Sequence, residues 1–191
     1  MAEAAQPLSA LDHPPGSTTT AGGVAVHGLF VRDLDGDLLI GPVSLDLPPG
    51  SLTILTGATP AGRGALVCAL TGRLPLTRLR AHGTVHVGGH SAPPGIRNVS
   101  TLAHSWQTYG NTAVERRLQA LAWAATRHSA LICLWPGLEG LAEADRVTLL
   151  QTAGELRDQG VTLVLSAAAR DLTGAEYSLA DATINLDEHR W

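Results

Sequence analysis

Short apolar runs that alternate with helical segments constrain the fold of this chain more than any other feature. The runs are residues 51–56, 130–135, 161–166 and 182–186, and the segments with helical spacing are residues 65–72, 112–127 and 142–158. Strands that are apolar on both faces and alternate with helices are typical of a parallel sheet covered on both sides. The sequence therefore predicts the α/β class, with a mainly parallel sheet.

The first part of the chain carries a different pattern. Apolar residues alternate with polar ones between residues 24 and 47, around the turn-like residues 33–37. This alternation predicts an antiparallel hairpin, because successive side chains of a half-buried strand point to opposite faces. Further strands are predicted at residues 83–89 and 96–102.

Composition and length predict one compact domain. A chain of 191 residues with 45% hydrophobic residues can bury one sizeable core. Residues 1–22 are rich in Ala, Pro, Ser and Thr and show no period of a helix or strand. We therefore predict a flexible N-terminal tail over residues 1–22, followed by a single domain over residues 23–191.

The charge pattern argues against nucleic acid and membrane insertion. The net charge is −4, all 13 basic residues are arginine, and no basic run occurs, whereas a nucleic-acid binder usually presents a basic field. No apolar run reaches the roughly 18 residues of a membrane span. Cys68 and Cys133 lie outside any metal-ligand spacing, which favours reduced thiols. We expect a cytoplasmic chain, either free or peripheral to the inner face of a membrane.

A glycine-rich loop follows the strand at residues 51–56 and precedes a predicted helix, a setting in which backbone N–H groups bind phosphate. In the P-loop pattern G-x-x-x-x-G-K-[ST], Gly57 and Gly62 keep the framing glycines. Arg63 stands in place of the lysine, and Gly64 in place of the metal-binding hydroxyl residue. An ordinary strand-to-helix turn is the alternative, since Pro60 lacks an N–H. The candidate nucleotide-binding residues are Gly57, Pro60, Ala61, Gly62, Arg63, Gly64 and Ala65.

Several segments around this loop resemble a known family, the ABC transporter ATP-binding domains. The resemblance lies in the approach to the P-loop, the end of the first helix, the next strand and the last strand, which are residues 43–57, 70–74, 83–89 and 179–187. It covers about residues 24–191. It implies an ABC ATPase-like P-loop NTPase fold with an antiparallel N-terminal subdomain. Because only about ten residues separate residues 102 and 112, the family's helical subdomain is expected to be reduced or missing.

The resemblance also shows which catalytic groups are changed. The family's Walker B strand ends in Asp-Glu-Pro, where this chain has Leu134, Trp135 and Pro136. In the family the Asp holds Mg²⁺ and the Glu positions the attacking water. Neither Leu134 nor Trp135 can take these roles, and the Trp135 ring would fill the space of that water. No catalytic residue and no metal ligand is therefore expected.

Other functional positions of the family are changed as well. The signature segment aligns with residues 110–114, which lack its serine and most of its glycines. The switch histidine aligns with Ala167, and the aromatic residue that stacks on adenine falls near Asp33. Gln107 lies near the position of the Q-loop glutamine without matching it convincingly. The resemblance therefore implies a degenerate site.

Two polar groups outside the loop have alternative interpretations. His82, His86 and His90 recur every four residues, but the glycines between them indicate a strand and turn, which favours surface histidines over a metal site. The acidic residues after the Walker B strand could replace the lost carboxylates, or could supply negative charge to the first turn of the next helix, which is simpler. They are Glu139, Glu143 and Asp145.

The resemblance implies a catalytically degenerate ABC-type ATP-binding protein, a pseudo-ATPase that acts through a protein partner as an accessory subunit of an ABC transporter. That partner would be an ABC subunit, a permease or a scaffold. The alternative is a divergent ATP-binding subunit with weak ATP binding and slow or heteromer-dependent hydrolysis, which Arg63 supports as a competent phosphate ligand. A third interpretation is an ordinary α/β interaction domain. ATP and Mg²⁺ are the cofactors that the family implies, and the changed residues argue against both.

Overall fold

Strands and helices alternate along most of the chain in the computed structural model, which describes residues 23–57, 59–75, 77–88, 90–92, 102–103, 112–126 and 131–189. The strands in these ranges are β1 (Val24–Asp33), β2 (Leu38–Leu47), β3 (Leu52–Thr56), β4 (Leu79–Val87), β5 (His90–Ala92), β6 (Leu102–Ala103), β7 (Leu131–Leu134), β8 (Thr162–Ser166) and β9 (Ala182–Asn185). The helices are α1 (Pro60–Leu70), α2 (Ala113–Ala125), α3 (Glu143–Asp158) and α4 (Gly174–Leu179). Short 3-10 helices cover Ala169–Asp171 and Leu186–His189.

The strands form two sheets of different kinds. An antiparallel sheet has the order β2-β1-β4-β5, and a parallel sheet has the order β6-β7-β8-β3-β9. The hairpin predicted between residues 24 and 47 is the pair of β1 and β2. The predicted α/β class is confirmed, with a parallel sheet beside an antiparallel N-terminal part.

Both faces of the parallel sheet are covered, which explains why its strands are apolar throughout. On β7, Leu131 and Cys133 pack with α1 and the antiparallel sheet. The alternate residues Ile132 and Leu134 pack with α2 and α3 on the opposite face. Both cysteines are free; Cys133 is buried, which raises the pKa of its thiol, whereas Cys68 is only partly buried.

The structure departs most from the sequence predictions at the starts of α1 and β4 and in two elements that were not predicted, β5 and α4. Helix α1 begins at Pro60 rather than at residue 65, because the Thr59 Oγ1 accepts the Gly62 N–H at 3.1 Å and caps the helix. Pro60 suits the first turn, where its missing N–H is not needed. Strand β4 begins at Leu79 rather than at residue 83, since it pairs with β1 as far as Asp33. Helix α4 was not predicted.

Some predictions fall on residues that the structure does not describe. These are the tail over residues 1–22, most of the strand at residues 96–102, and residues 104–111, where the helical subdomain is expected to be reduced. The domain boundary at residue 23 therefore stays a prediction. In the described ranges, the helices are too short or too polar to cross a membrane.

A buried ion pair fastens α4 to α3. The Arg146 Nε lies 2.7 Å from the Glu176 Oε1, and Glu176 is fully buried. The second carboxylate oxygen accepts the Thr173 N–H at 2.9 Å and the Thr173 hydroxyl. Burial alone raises the pKa of Glu176, but the hydrogen bonds from Thr173 and Arg146 outweigh it and lower the pKa to about 2. The carboxylate is therefore ionised in the folded protein.

We predict that Glu176→Gln lowers the free energy of unfolding by about 3 kcal/mol or more near neutral pH, because it leaves the buried Arg146 guanidinium without its countercharge. The folded pKa of Glu176, about 2, is below its ordinary value of 4.5. Its contribution is thus complete above that ordinary value and is lost as the pH falls toward the folded value.

Urea unfolding at about pH 7 and about pH 3 measures this contribution. The difference in unfolding free energy between the protein and the variant should narrow at the lower pH. Glu155→Gln, an exposed change on α3, serves as the control and should have little effect at either pH. A difference for Glu176→Gln that is the same at both values would contradict the assignment.

Candidate functional site

The candidate loop connects β3 to α1 at the carboxyl end of the parallel sheet. Gly57 has a φ of +70°, and a Cβ there would lie 2.1 Å from the Asn185 Oδ1, so glycine is required. Pro60, Ala61, Gly62 and Gly64 form the first turns of α1, with Ala61 exposed and Gly64 buried. Ala65 lies in the core beneath them. The structure therefore brings the predicted site residues together around one helix N-terminus.

Backbone N–H groups that a phosphate site would need are used by the chain itself. The Gly62 N–H donates to the Thr59 Oγ1 at 3.1 Å, and the Arg63 N–H donates to the Thr59 carbonyl at 3.0 Å. Pro60 has no N–H to donate. A phosphate nest depends on several free N–H groups that point to one place, and the first turn of α1 offers few of them.

The Arg63 side chain is turned back into the protein and is 6% exposed. One terminal nitrogen donates to the Gly57 carbonyl at 2.8 Å, and the Nε lies 3.1 Å from the Glu139 Oε1. The guanidinium charge is therefore balanced by a carboxylate of the same chain. An anion at this loop would compete with Glu139 for the guanidinium.

The Glu139 carboxylate is held by further donors. Its Oε2 accepts the Gly137 N–H at 2.7 Å and the Ser166 hydroxyl at 2.9 Å. Glu139 lies in the segment between β7 and α3, so the expectation that it charges the first turn of the helix is wrong. That turn contains Glu143 and Asp145, as predicted. Glu139 instead joins the loop after β7 to α1 and to the end of β8.

The Trp135 ring lies against the second turn of α1. A Cβ built on Gly64 would be 2.7 Å from the Trp135 Cζ2 and 2.8 Å from the Cε2. A serine or threonine at residue 64 would therefore overlap the indole. The ring occupies the space beside the position where the P-loop pattern places its metal-binding hydroxyl. Leu134 points to the opposite side of the sheet and is buried with α2 and α3.

Sequence reasoning missed Arg117, which supports the Glu139 segment from α2. Its Nε donates to the Pro136 carbonyl at 3.1 Å, and a terminal nitrogen donates to the Glu139 carbonyl at 2.9 Å. The other terminal nitrogen is buried without a hydrogen-bond partner among the described residues. The pKa of this guanidinium is lowered from its ordinary value, chiefly by burial. The nearby charge of Glu139 opposes this shift, and that of Arg116 adds to it. No sequence signal identifies this role, because it depends on how α2 packs.

Two further positions that the resemblance singled out lie within the described ranges. Ala167, at the position of the switch histidine, is fully buried. The Asp33 carboxylate accepts the Asp37 N–H at 2.8 Å within the hairpin turn, so it serves the turn. Gln107 and residues 110–111 lie outside the described ranges. Among the described residues, no cluster of three or more His, Cys, Asp or Glu could hold a metal ion.

Two of the three histidines that recur every four residues, His82 and His86, belong to the antiparallel sheet and not to the loop between β3 and α1. His82 and His86 are on β4, where they contact aromatic rings of β1. The side chain of His90 is not described. A shared metal site of these three histidines therefore receives no support from the described residues.

A comparison with curated proteins gives one significant match. The chain is 27% identical over 143 residues to the phosphonates import ATP-binding protein PhnC 2 of Cupriavidus metallidurans. The match covers 68% of this chain and 49% of that protein, so the chain spans about half the length of this relative. No protein-family model matches the sequence.

Solved structures share the fold over most of the chain. A nucleotide-free ATP-binding cassette from an ABC transporter is 12% identical with a TM-score of 0.69, over 87% of this chain and 88% of that one. The ADP conformation of MJ1267, another such cassette, is 11% identical with a TM-score of 0.67, over 87% and 88%. The cbiO1 protein of Clostridium perfringens, part of the transporter complex cbiONQ, is 13% identical with a TM-score of 0.63, over 87% and 85%. The ABC ATPase fold expected from the sequence is confirmed.

We predict that Gly64→Ser lowers the free energy of unfolding by about 1–3 kcal/mol, because the new side chain overlaps the Trp135 ring. In the Trp135→Ala background the same change should cost much less. A double-mutant cycle measured by urea unfolding gives this coupling.

Gly154→Ser is the matched control, because Gly154 also lies within a helix and a Cβ there meets only the end of the Arg157 side chain, at 3.9 Å. It should be neutral or stabilise by about 0.5 kcal/mol through helix propensity. If Gly64→Ser lowered the free energy of unfolding equally in the parent protein and in the Trp135→Ala variant, the contact between residue 64 and the indole would be contradicted.

Proposed function

We propose, since the chain has the fold of an ABC ATP-binding cassette, that it is a catalytically degenerate cassette that acts through protein contacts and does not hydrolyse ATP. One observation carries this proposal. The space around the candidate loop is taken up by the chain's own side chains, with the Trp135 ring on Gly64 and the Glu139 carboxylate on Arg63.

The absence of hydrolysis is supported by the chemistry of the side chains that follow β7 and of those on the first turns of α1. ATP hydrolysis needs oxygen ligands for Mg²⁺ and a group that orients the attacking water. Leu134 and Trp135 offer neither, and Gly64 has no hydroxyl. The nearby carboxylate of Glu139 is committed to Arg63, Gly137 and Ser166. These residues do not fit Mg²⁺.

ATP binding is disfavoured for a related reason. A phosphate at the loop would have to replace Glu139 as the partner of Arg63, and would find the Gly62 and Arg63 N–H groups already bonded to Thr59. The energy gained from Arg63 and phosphate is therefore offset by the contacts that are broken. The residues do not fit the triphosphate of ATP.

The partner is proposed by analogy with the relatives. The curated relative is called an import ATP-binding protein, and cbiO1 is described as part of an ABC transporter complex. We propose that this chain is a cytoplasmic accessory subunit of an ABC transporter, bound to an ABC subunit, a permease or a scaffold. We propose that the chain neither binds nucleic acid nor inserts into the membrane.

A second candidate is a divergent subunit that binds ATP weakly and hydrolyses it slowly or within a heteromer. The retained framing glycines favour it, together with a cation, Arg63, on the first turn of α1. For this candidate the nucleotide would have to displace Glu139. Nucleotide binding therefore separates the two candidates.

We predict that millimolar Mg-ATP leaves the melting temperature of the protein unchanged. A ligand that binds only the folded state at 100 times its Kd would stabilise it by about 2.7 kcal/mol, a readily measured effect. An ATP-hydrolysing ABC cassette measured alongside should show a rise, which verifies the assay. A rise for this protein that Arg63→Ala abolishes would contradict the proposal and favour the second candidate.

A further inference from the structure

The antiparallel sheet has an exposed face that the candidate site does not use. We call it the outer basic face and define it by the side chains of His27, Phe30, Arg32, Arg80, His82 and His86 on β1 and β4. All six are exposed or half-buried, whereas the alternate residues of β1, such as Val26 and Val31, are buried in the core. The face therefore lies on the outside of the molecule.

A β-bulge in β1 places His27 and Phe30 on the same face of the sheet. His27 pairs with Thr84, but Phe30 pairs with His82, so β1 carries one extra residue at this point. Gly28 supplies it with a φ of +55°. Without the bulge, strict alternation would place His27 and Phe30 on opposite sides of the sheet. With it, both side chains lie on the outer face.

Arg32 and Arg80 are directly opposite each other at one end of this face. Like charges at such a position destabilise a sheet. Neither arginine lies within ion-pair distance of a carboxylate in the part of the chain that the structure describes, since no such pair occurs among its salt bridges. Arg32 is oriented by its hydrogen bond to the Gly36 carbonyl at 2.7 Å. An anion between the two guanidinium groups would relieve their repulsion.

The rings beside the arginines contact one another. Phe30 and His82 stack with ring centres 4.8 Å apart, and His27 meets His86 edge-on at 5.6 Å. The Arg32 guanidinium lies 6.0 Å from the Phe30 ring centre. Because the Phe30 ring is engaged by His82 and Arg32, it offers little surface on which a nucleic-acid base could stack. The arrangement favours a partner that binds through carboxylates.

We propose that the outer basic face binds an acidic segment of a partner protein, with carboxylates bridging Arg32 and Arg80. This inference rests on the proposed function, a cassette that acts through protein contacts. Arginine binds carboxylates through two parallel hydrogen bonds. On a chain with a net charge of −4, a face of this kind attracts an acidic partner and fixes its orientation.

Fluorescence anisotropy tests the proposal with a labelled peptide of about twelve residues in which glutamate alternates with serine. A peptide with glutamine in place of glutamate and a single-stranded thymidine oligonucleotide of equal length serve as comparison probes. The glutamate peptide should bind, and Arg32→Glu with Arg80→Glu should weaken its binding by about tenfold or more. Arg170→Glu is the matched control, since its side chain is 89% exposed on another part of the surface, and it should change binding by less than about twofold.

Arg80→Glu alone separates binding from folding. It places a carboxylate opposite Arg32, which favours the sheet, so the variant should melt no lower than the parent protein while losing peptide binding. Equal weakening by Arg170→Glu, tighter binding of the oligonucleotide, or no binding of the glutamate peptide would each overturn the proposal. None of these outcomes affects the melting temperature measured with Mg-ATP. The failure of this proposal is therefore distinguishable from the failure of the proposed function.

Discussion

The arrangement of the candidate site depends on the ion pair between Arg63 and Glu139. It joins the first turn of α1 to the segment after β7, and the hydroxyl of Ser166 connects the same carboxylate to the end of β8. A largely buried ion pair is costly to desolvate, and it persists only where further hydrogen bonds satisfy both groups. Here the backbone of Gly57 and of Gly137 provides them. The carboxyl ends of β3, β7 and β8 are thereby fixed to one another.

The two residues that differ from the P-loop pattern, Arg63 and Gly64, match their neighbours in charge and in volume. An arginine in place of lysine has a carboxylate, Glu139, within 3.1 Å. A glycine in place of a hydroxyl residue leaves room for the Trp135 indole, which a Cβ would approach within 2.7 Å. The result is a loop whose polar and apolar contacts are made inside the chain. Such a loop fits the proposed noncatalytic role, in which the outer surfaces of the molecule bind a partner.

The sequence predicted the class of the fold because its strands are apolar on both faces and its turns are marked by glycine and proline. It also located the candidate loop through its framing glycines, and the positive φ of Gly57 explains why one of them is required. It misplaced the start of α1, because residues 57–64 match the P-loop pattern and were expected to form a loop. In the structure Thr59 is the N-cap and Pro60 the first residue of the helix. It missed the roles of Glu139 and Arg117 because their contacts join residues far apart in the chain, and such contacts follow from packing and leave no local pattern.

The most direct test of this account is a crystal structure of the protein grown with millimolar Mg-ATP. We expect the Trp135 ring to remain on Gly64, Arg63 to remain paired with Glu139, and no phosphate to lie at the first turn of α1. A triphosphate bound between Gly57 and Gly64, with Arg63 turned toward it and away from Glu139, would contradict the account.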